Sequence, residues 1–214
     1  MSIAPDTSPD HIRTVSGPVI ASILILGSKF LAVLAPAETE VDSDAVLHQR
    51  SRRYPDASHH CWAHRIGRPG ELTERSADAG EPSGTAGRPI LDALRGVRLE
   101  NVVCVVSRYF GGTKLGTGGL VRAYADAASA VVDEALLVER TVIRIVELDF
   151  DHERTGNVYR ALDEFGIHFR QSRYDERAHG HVEVPSSKVA PLRERLRELT
   201  RTGVDWHEGE LKLK

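Results

Sequence analysis

Cysteine is nearly missing from this chain, with Cys61 and Cys104 the only two, so no disulfide framework can hold the fold. Aromatic residues make up 6% of the sequence and methionine occurs once. No long apolar run is present either. The most apolar stretch, Ile20–Ala35, is broken by Gly27-Ser28-Lys29 and is too short to span a bilayer. Asp6 and Asp10 near the N-terminus, with no apolar core beside them, do not fit a secretory signal. Nor is there an excess of positive charge: the formal net charge is −3, against the basic surface that indiscriminate nucleic-acid binding requires. The expectation is a cytoplasmic globular protein that meets phosphate, if at all, at a local patch, with no membrane partner. Of the 28 basic residues 23 are arginine, a skew that carries no functional weight by itself.

What is present is 214 residues with an ordinary 41% hydrophobic and 28% charged content, the size of two small domains. Residues 1–16 read as a polar, poorly ordered tail. Val19–Leu26 and Phe30–Ala35 flank a turn at Gly27-Ser28 and predict a hairpin. Glu38–Tyr54 predicts an exposed helix stopped by Pro55, and His59–Ile66 a strand with His60, Trp62 and His64 on one face. Residues 67–84 lack periodicity and predict a long loop, followed by a short helix capped by Ser83 or Thr85. Asn101–Ser107 is a strand apolar on both faces, and a long helix begins near Gly118. Beyond residue 140 the pattern restarts as β-α-β-β-α-β, the ferredoxin-like split βαβ order. The expected organisation is therefore a tail over 1–16, one α+β domain over 17–139 and a ferredoxin-like domain over 140–214.

The densest chemistry lies in "RYFGGTKLGTGGLVRAYADAA", residues 108–128, where five glycines fall within nine positions. Arg108, Lys114 and Arg122 surround Gly111, Gly112, Gly116, Gly118 and Gly119, and no acid appears before Asp126. A strand-to-helix turn of that composition can present free helix N–H groups beside cations, a cradle for phosphate. The alternative is a tight turn that only brings helix and sheet together. The spacing fits neither G-x-x-x-x-G-K-[ST] nor G-x-G-x-x-G. Asp78 and Glu81 precede a helix start; they either support that helix or join Arg108, Lys114 or His59 in a polar site. His59, His60, Cys61 and His64 do not complete a metal site, because a strand puts at most two of them on one face. No metal and no cofactor are expected, and no serine sits in a nucleophile elbow.

"CWAHRIG" at 61–67, "GEPSGTAGRPIL" at 80–91 and "VVSRYFGGTKLGTGGLVRAYADAA" at 105–128 resemble the Impact/YigZ family over about residues 16–138, and the remainder resembles the second domain of its bacterial YigZ-type members. Three positions depart from the usual pattern: Ala79 stands where a second acid is common, and His60 and His64 where Asn and an aromatic are common. The resemblance implies an α+β protein whose first domain is similar to domain four of elongation factor G, a β-α-β domain of the ribosomal-protein type. The second would be ferredoxin-like. It implies a non-enzymatic role in translation, with RNA or the ribosome as partner, or a protein partner as for the eukaryotic Impact regulator. A third reading is a phosphate- or nucleotide-binding enzyme that uses the same turn, with Asp78 or Glu81 as metal ligand or base.

Overall fold

The computed structural model describes residues 10–67, 71–201 and 203–214. It is a mixed α+β chain that divides into two units, Ile12–Glu139 and Arg140–Lys214, the latter joined by Asp10 and His11.

In the first unit, β2 (Val19–Ile25) and β3 (Ser28–Pro36) form a hairpin closed by Leu26 and Gly27, both at positive φ (45° and 83°). Positive φ at both central positions defines the type I′ turn, whose twist matches that of paired strands. With β4 (His59–Ile66), β5 (Thr73–Ala77) and β6 (Val102–Tyr109) they make an antiparallel sheet in the order β2-β3-β6-β4-β5. The apolar strand β6 is central and buried on both faces, as its composition requires. Helices α2 (Gly87–Gly96) and α3 (Gly116–Asp133) cover one face, where Phe30, Leu34, Ile90, Leu94, Val106, Tyr124 and Val131 form the main core. Helix α1 (Glu40–Arg53) covers part of the other, with Val46 and Leu47 packed on Val33, Ala35, Val103 and Val105. Its N-terminus is closed by a capping box between Thr39 and Asp42.

In the second unit, β7 (Leu137–Phe150), α4 (Thr155–Glu164), β8 (Phe169–Tyr174), β9 (Ala178–Pro185), α5 (Val189–Thr200) and β10 (Val204–Leu213) succeed one another as β-α-β-β-α-β. The antiparallel order β10-β7-β9-β8 is the ferredoxin-like arrangement expected from the sequence. Val146, Leu148, Phe150, Val158, Leu162, Val182, Leu192 and Leu196 fill its core.

Four expectations change. His11–Val15, placed in the polar tail, is strand β1, with Ile12 and Val15 buried and the Arg13 carbonyl accepting from Glu100 N–H at 2.8 Å; residues 1–9 lie outside the described residues. The loop expected over 67–84 contains β5, a strand whose sequence TERSA has no apolar run to reveal it. Pairing with β4 holds it, together with ion pairs from Glu74 to Arg65 (2.8 Å) and Arg95. The helix α1 is exposed on one side only, since Ser43 and Arg50 are buried beneath it. Neither Ser83 nor Thr85 caps α2; Asp78 does so from the end of β5.

Candidate phosphate-binding turn and its buried polar base

The glycine-rich segment separates into two halves with different surroundings. In the first half, Arg108 is the last inward-facing residue of β6 and is 5% exposed. Its Nη1 donates to Glu81 Oε1 at 2.6 Å, and its guanidinium lies over the rings of Phe30 and Phe110 at 5.5 and 5.7 Å. Both side chains of this ion pair are almost wholly buried. Tyr124 Oη also donates to Glu81 Oε1, at 2.8 Å, and the Tyr124 ring meets Phe30 edge-on at 5.2 Å. Gly111 follows at a point where two chains touch backbone to backbone. A Cβ on Gly111 would lie 1.9 Å from the carbonyl carbon of Gly27, and its N–H donates to Ser28 Oγ at 3.1 Å. No residue but glycine fits there.

His59 and the GEPSG segment complete this base. His59 Nδ1 lies 2.9 Å from the Ala79 carbonyl, which requires the proton on Nδ1, while Nε2 stands 3.9 Å from Glu81 Oε1. The Cys61 thiol donates to the Asp78 carbonyl at 3.0 Å and lies 3.3 Å from Tyr124 Oη. Burial pushes this thiol up to about 12, so it stays protonated and is no nucleophile. Burial likewise raises Tyr124 far above the usual phenol range, with the neighbouring Cys61 and Glu81 adding to the effect. The Asp78 carboxylate accepts from Gly84, Ala86 and Gly87 N–H at 2.8–2.9 Å. Burial works to raise its pKa, but the three donors outweigh it and the net shift is downward. Asp78 is thus the anionic cap of α2, with its oxygens committed to backbone amides rather than to a metal or a proton in transit.

The second half of the segment is open. Gly112 and Gly116 turn the chain at φ 86° and 69°, and a Cβ on either would meet nothing within 4 Å. Helix α3 starts at Gly116 with no side-chain cap and no acid in its first turn. Lys114, Gly116, Thr117, Gly118 and Arg122 are exposed, Gly119 is half-buried against Leu115, and neither cation makes an ion pair among the described residues. Exposed N–H groups, a positive helix end and two free cations thus share one surface.

Of the residues expected in one cradle, the structure therefore brings Lys114, Gly116, Gly118, Gly119 and Arg122 to an open turn. Arg108 does not belong with them: it is consumed by Glu81 in the interior. Gly111 serves close packing, and Gly112 links the halves. His59, Glu81 and Arg108 do meet, as the polar-site reading expected; Asp78 faces away to its helix cap. Tyr124 is the member that sequence reasoning missed, because its position in the apolar stripe of α3 concealed its hydroxyl. His60 and His64 belong elsewhere, bonded through Nδ1 to Ser107 Oγ (2.8 Å) and Ser43 Oγ (2.9 Å).

The motifs that build this turn also define a family. The Impact N-terminal domain matches residues 26–132, and a domain of unknown function, DUF1949, matches residues 148–201. The IMPACT family member YvyE of Bacillus subtilis is 34% identical over 189 residues, covering 88% of this chain and 87% of its own. The IMPACT family member YigZ of Escherichia coli is 30% identical over 87% of this chain and 92% of its own. A solved structure described only as that of a hypothetical protein superposes with a TM-score of 0.66 at 28% identity, covering 94% of this chain and 98% of that one. The chain belongs to the IMPACT family.

Proposed function

We propose that this chain is a non-enzymatic, translation-associated binding protein that meets RNA phosphate at the N-terminal turn of α3. Lys114 and Arg122 supply the charge, and the amides of Gly116–Gly119 supply directed donors. The observation that carries this reading is the exposed, uncapped and acid-free first turn of α3 with two cations beside it that are unpaired among the described residues. Such a turn loses stability in isolation, since capping residues are worth roughly 1 kcal/mol; an anion restores the missing partner. Membership of a family that includes a eukaryotic translation regulator supports the cellular setting. The net charge of −3 keeps the contact local.

The nearby polar base supports binding over catalysis. Its carboxylates are engaged by Arg108, Tyr124 and three backbone amides, and its thiol and phenol are held protonated. The test is single-stranded RNA affinity measured against salt for wild type and for Lys114→Ala with Arg122→Ala. Removal of two phosphate contacts is expected to reduce the slope of log K against log[salt] by about 1.4. Equal affinity and equal slope in the two proteins would sink the proposal.

A further inference from the structure

Among the strands at sheet edges, β2 is unusual in having no defence. β5, at the other edge of the same sheet, is five residues long and carries Glu74 and Arg75. In the second unit β8 carries Arg170 and Arg173, and β10 carries Asp205, Glu208, Glu210 and Lys212. Natural edge strands use charge, proline, bulges or shortness to prevent pairing with another chain. β2 is VIASILI: seven residues, no charge, no internal proline, and an unbroken register with β3 from Val19↔Leu34 to Ile25↔Ser28. Among the described residues it pairs with β3 alone.

The exposed side chains of β2 are apolar as well. Ile20 is 57% exposed and Leu24 72%, with Leu26 at 66% beyond the strand end. They lie on the face that α1 shares, but α1 packs over β3, β6 and β4 and leaves this strip open. The opposite face of the strand, Val19, Ala21, Ile23 and Ile25, is half-buried against the main core.

The order of residues indicates what the strip fits. Read in both directions from Ser22, the segment Gly17–Gly27 is a chemical palindrome: Ala21 answers Ile23, Ile20 answers Leu24, Val19 answers Ile25, Pro18 answers Leu26, and Gly17 answers Gly27. Antiparallel pairing about a twofold axis at Ser22 sets these residues directly opposite one another. Every apolar residue then meets an apolar residue on the same face, and no charge is buried. We infer that β2 is the interface at which a second copy of this chain docks, edge to edge, continuing the five-stranded sheet into the other molecule. A twofold contact of this kind is isologous and closes on itself, so it yields a dimer rather than a fibre. Ile20 of one copy packs on Leu24 of the other, twice, and covers the strip that α1 leaves bare.

Sedimentation velocity over a range of protein concentrations tests the association, and a designed disulfide tests its register. Residues directly opposite in an antiparallel pair have Cα atoms about 4.5–5.5 Å apart, within the range a disulfide spans. Ser22→Cys is therefore expected to give a covalent dimer on mild oxidation. Ile20→Cys and Leu24→Cys are each expected to fail alone and to cross-link when mixed. The native Cys61 and Cys104 are buried and do not interfere. Ile20→Lys with Leu24→Lys changes two exposed positions; with an unchanged circular dichroism spectrum as the control for folding, it is expected to raise the dimer Kd by roughly 100-fold, since it opposes like charges across the axis. A wild-type protein that stays monomeric at all concentrations and a Ser22→Cys variant that does not cross-link would overturn the inference. So would a dimer indifferent to both lysines, or an edge taken up only by a foreign peptide.

Discussion

Arg108 and Arg122 lie fourteen positions apart in one signature, yet one is buried in an ion pair and the other is exposed. Arg108 sits at the end of a strand buried on both faces, where a charge is tolerated only with a partner. Glu81 provides it, from a loop whose own position depends on Asp78 capping α2. Arg122 lies on the outer face of α3, one turn beyond the glycines, and has no such partner among the described residues. Positive charge near a glycine turn therefore means two different things, and burial decides which. The lesson extends to the glycines: Gly111 is required by contact with Gly27, whereas a Cβ on Gly118 would meet only the end of the Arg122 side chain.

The largest expected effect comes from breaking the buried half. Glu81→Ala strands the Arg108 guanidinium and the Tyr124 hydroxyl in the interior and is expected to cost about 3–5 kcal/mol in urea unfolding. Lys114→Ala, on the open half, is expected to change stability by no more than about 0.5 kcal/mol. The next effect contrasts the glycines. Gly111→Ala forces apart the backbones of the turn and the hairpin and is expected to cost at least about 1–3 kcal/mol. Gly118→Ala is expected to stabilise α3 by up to about 1 kcal/mol, read as a rise in Tm, because its Cβ meets only the end of Arg122 at 3.8 Å.

A smaller effect concerns pH and lies away from both halves. The Arg95 side chain, with Arg65 beside it, holds Glu74 down to about 2 from an ordinary 4.5, against the opposing effect of burial. A depressed pKa in the folded state gives stability that is complete above the unfolded value and lost as pH falls from about 4.5 toward 2. Glu74→Gln is expected to lower stability at neutral pH and to flatten the acid limb over that window, measured by unfolding at pH 2.5, 3.5, 4.5 and 7.

Much of this was legible in the residues. The period of Leu120, Tyr124, Ala127 and Val131 gave α3, and the restart after residue 140 gave the split βαβ order, because burial imposes regular spacing. β5 and β1 were not legible, since neither has an apolar run: β5 is held by pairing with β4 and by ion pairs from Glu74 to Arg65 and Arg95, and β1 by a bond to Glu100 far along the chain. At the site, the glycines and cations mark a special turn, and the sequence offers Glu81 as a partner for Arg108, Lys114 or His59. Which cation it would take depended on whether β6 carried Arg108 inward. That choice is set by the register of β3, β6 and β4, in which Arg108 faces Phe30 and His59. Local sequence carries no trace of such a register.

The division of the segment is tested most directly by amide NMR of the 15N-labelled protein titrated with a short single-stranded RNA. The expected result is chemical-shift change concentrated at the amides of Gly116, Thr117, Gly118 and Gly119 and at Lys114 and Arg122, with the Arg108 guanidinium resonance unmoved. Shifts that leave Gly116–Gly119 untouched, or that displace Arg108 from Glu81, would contradict it.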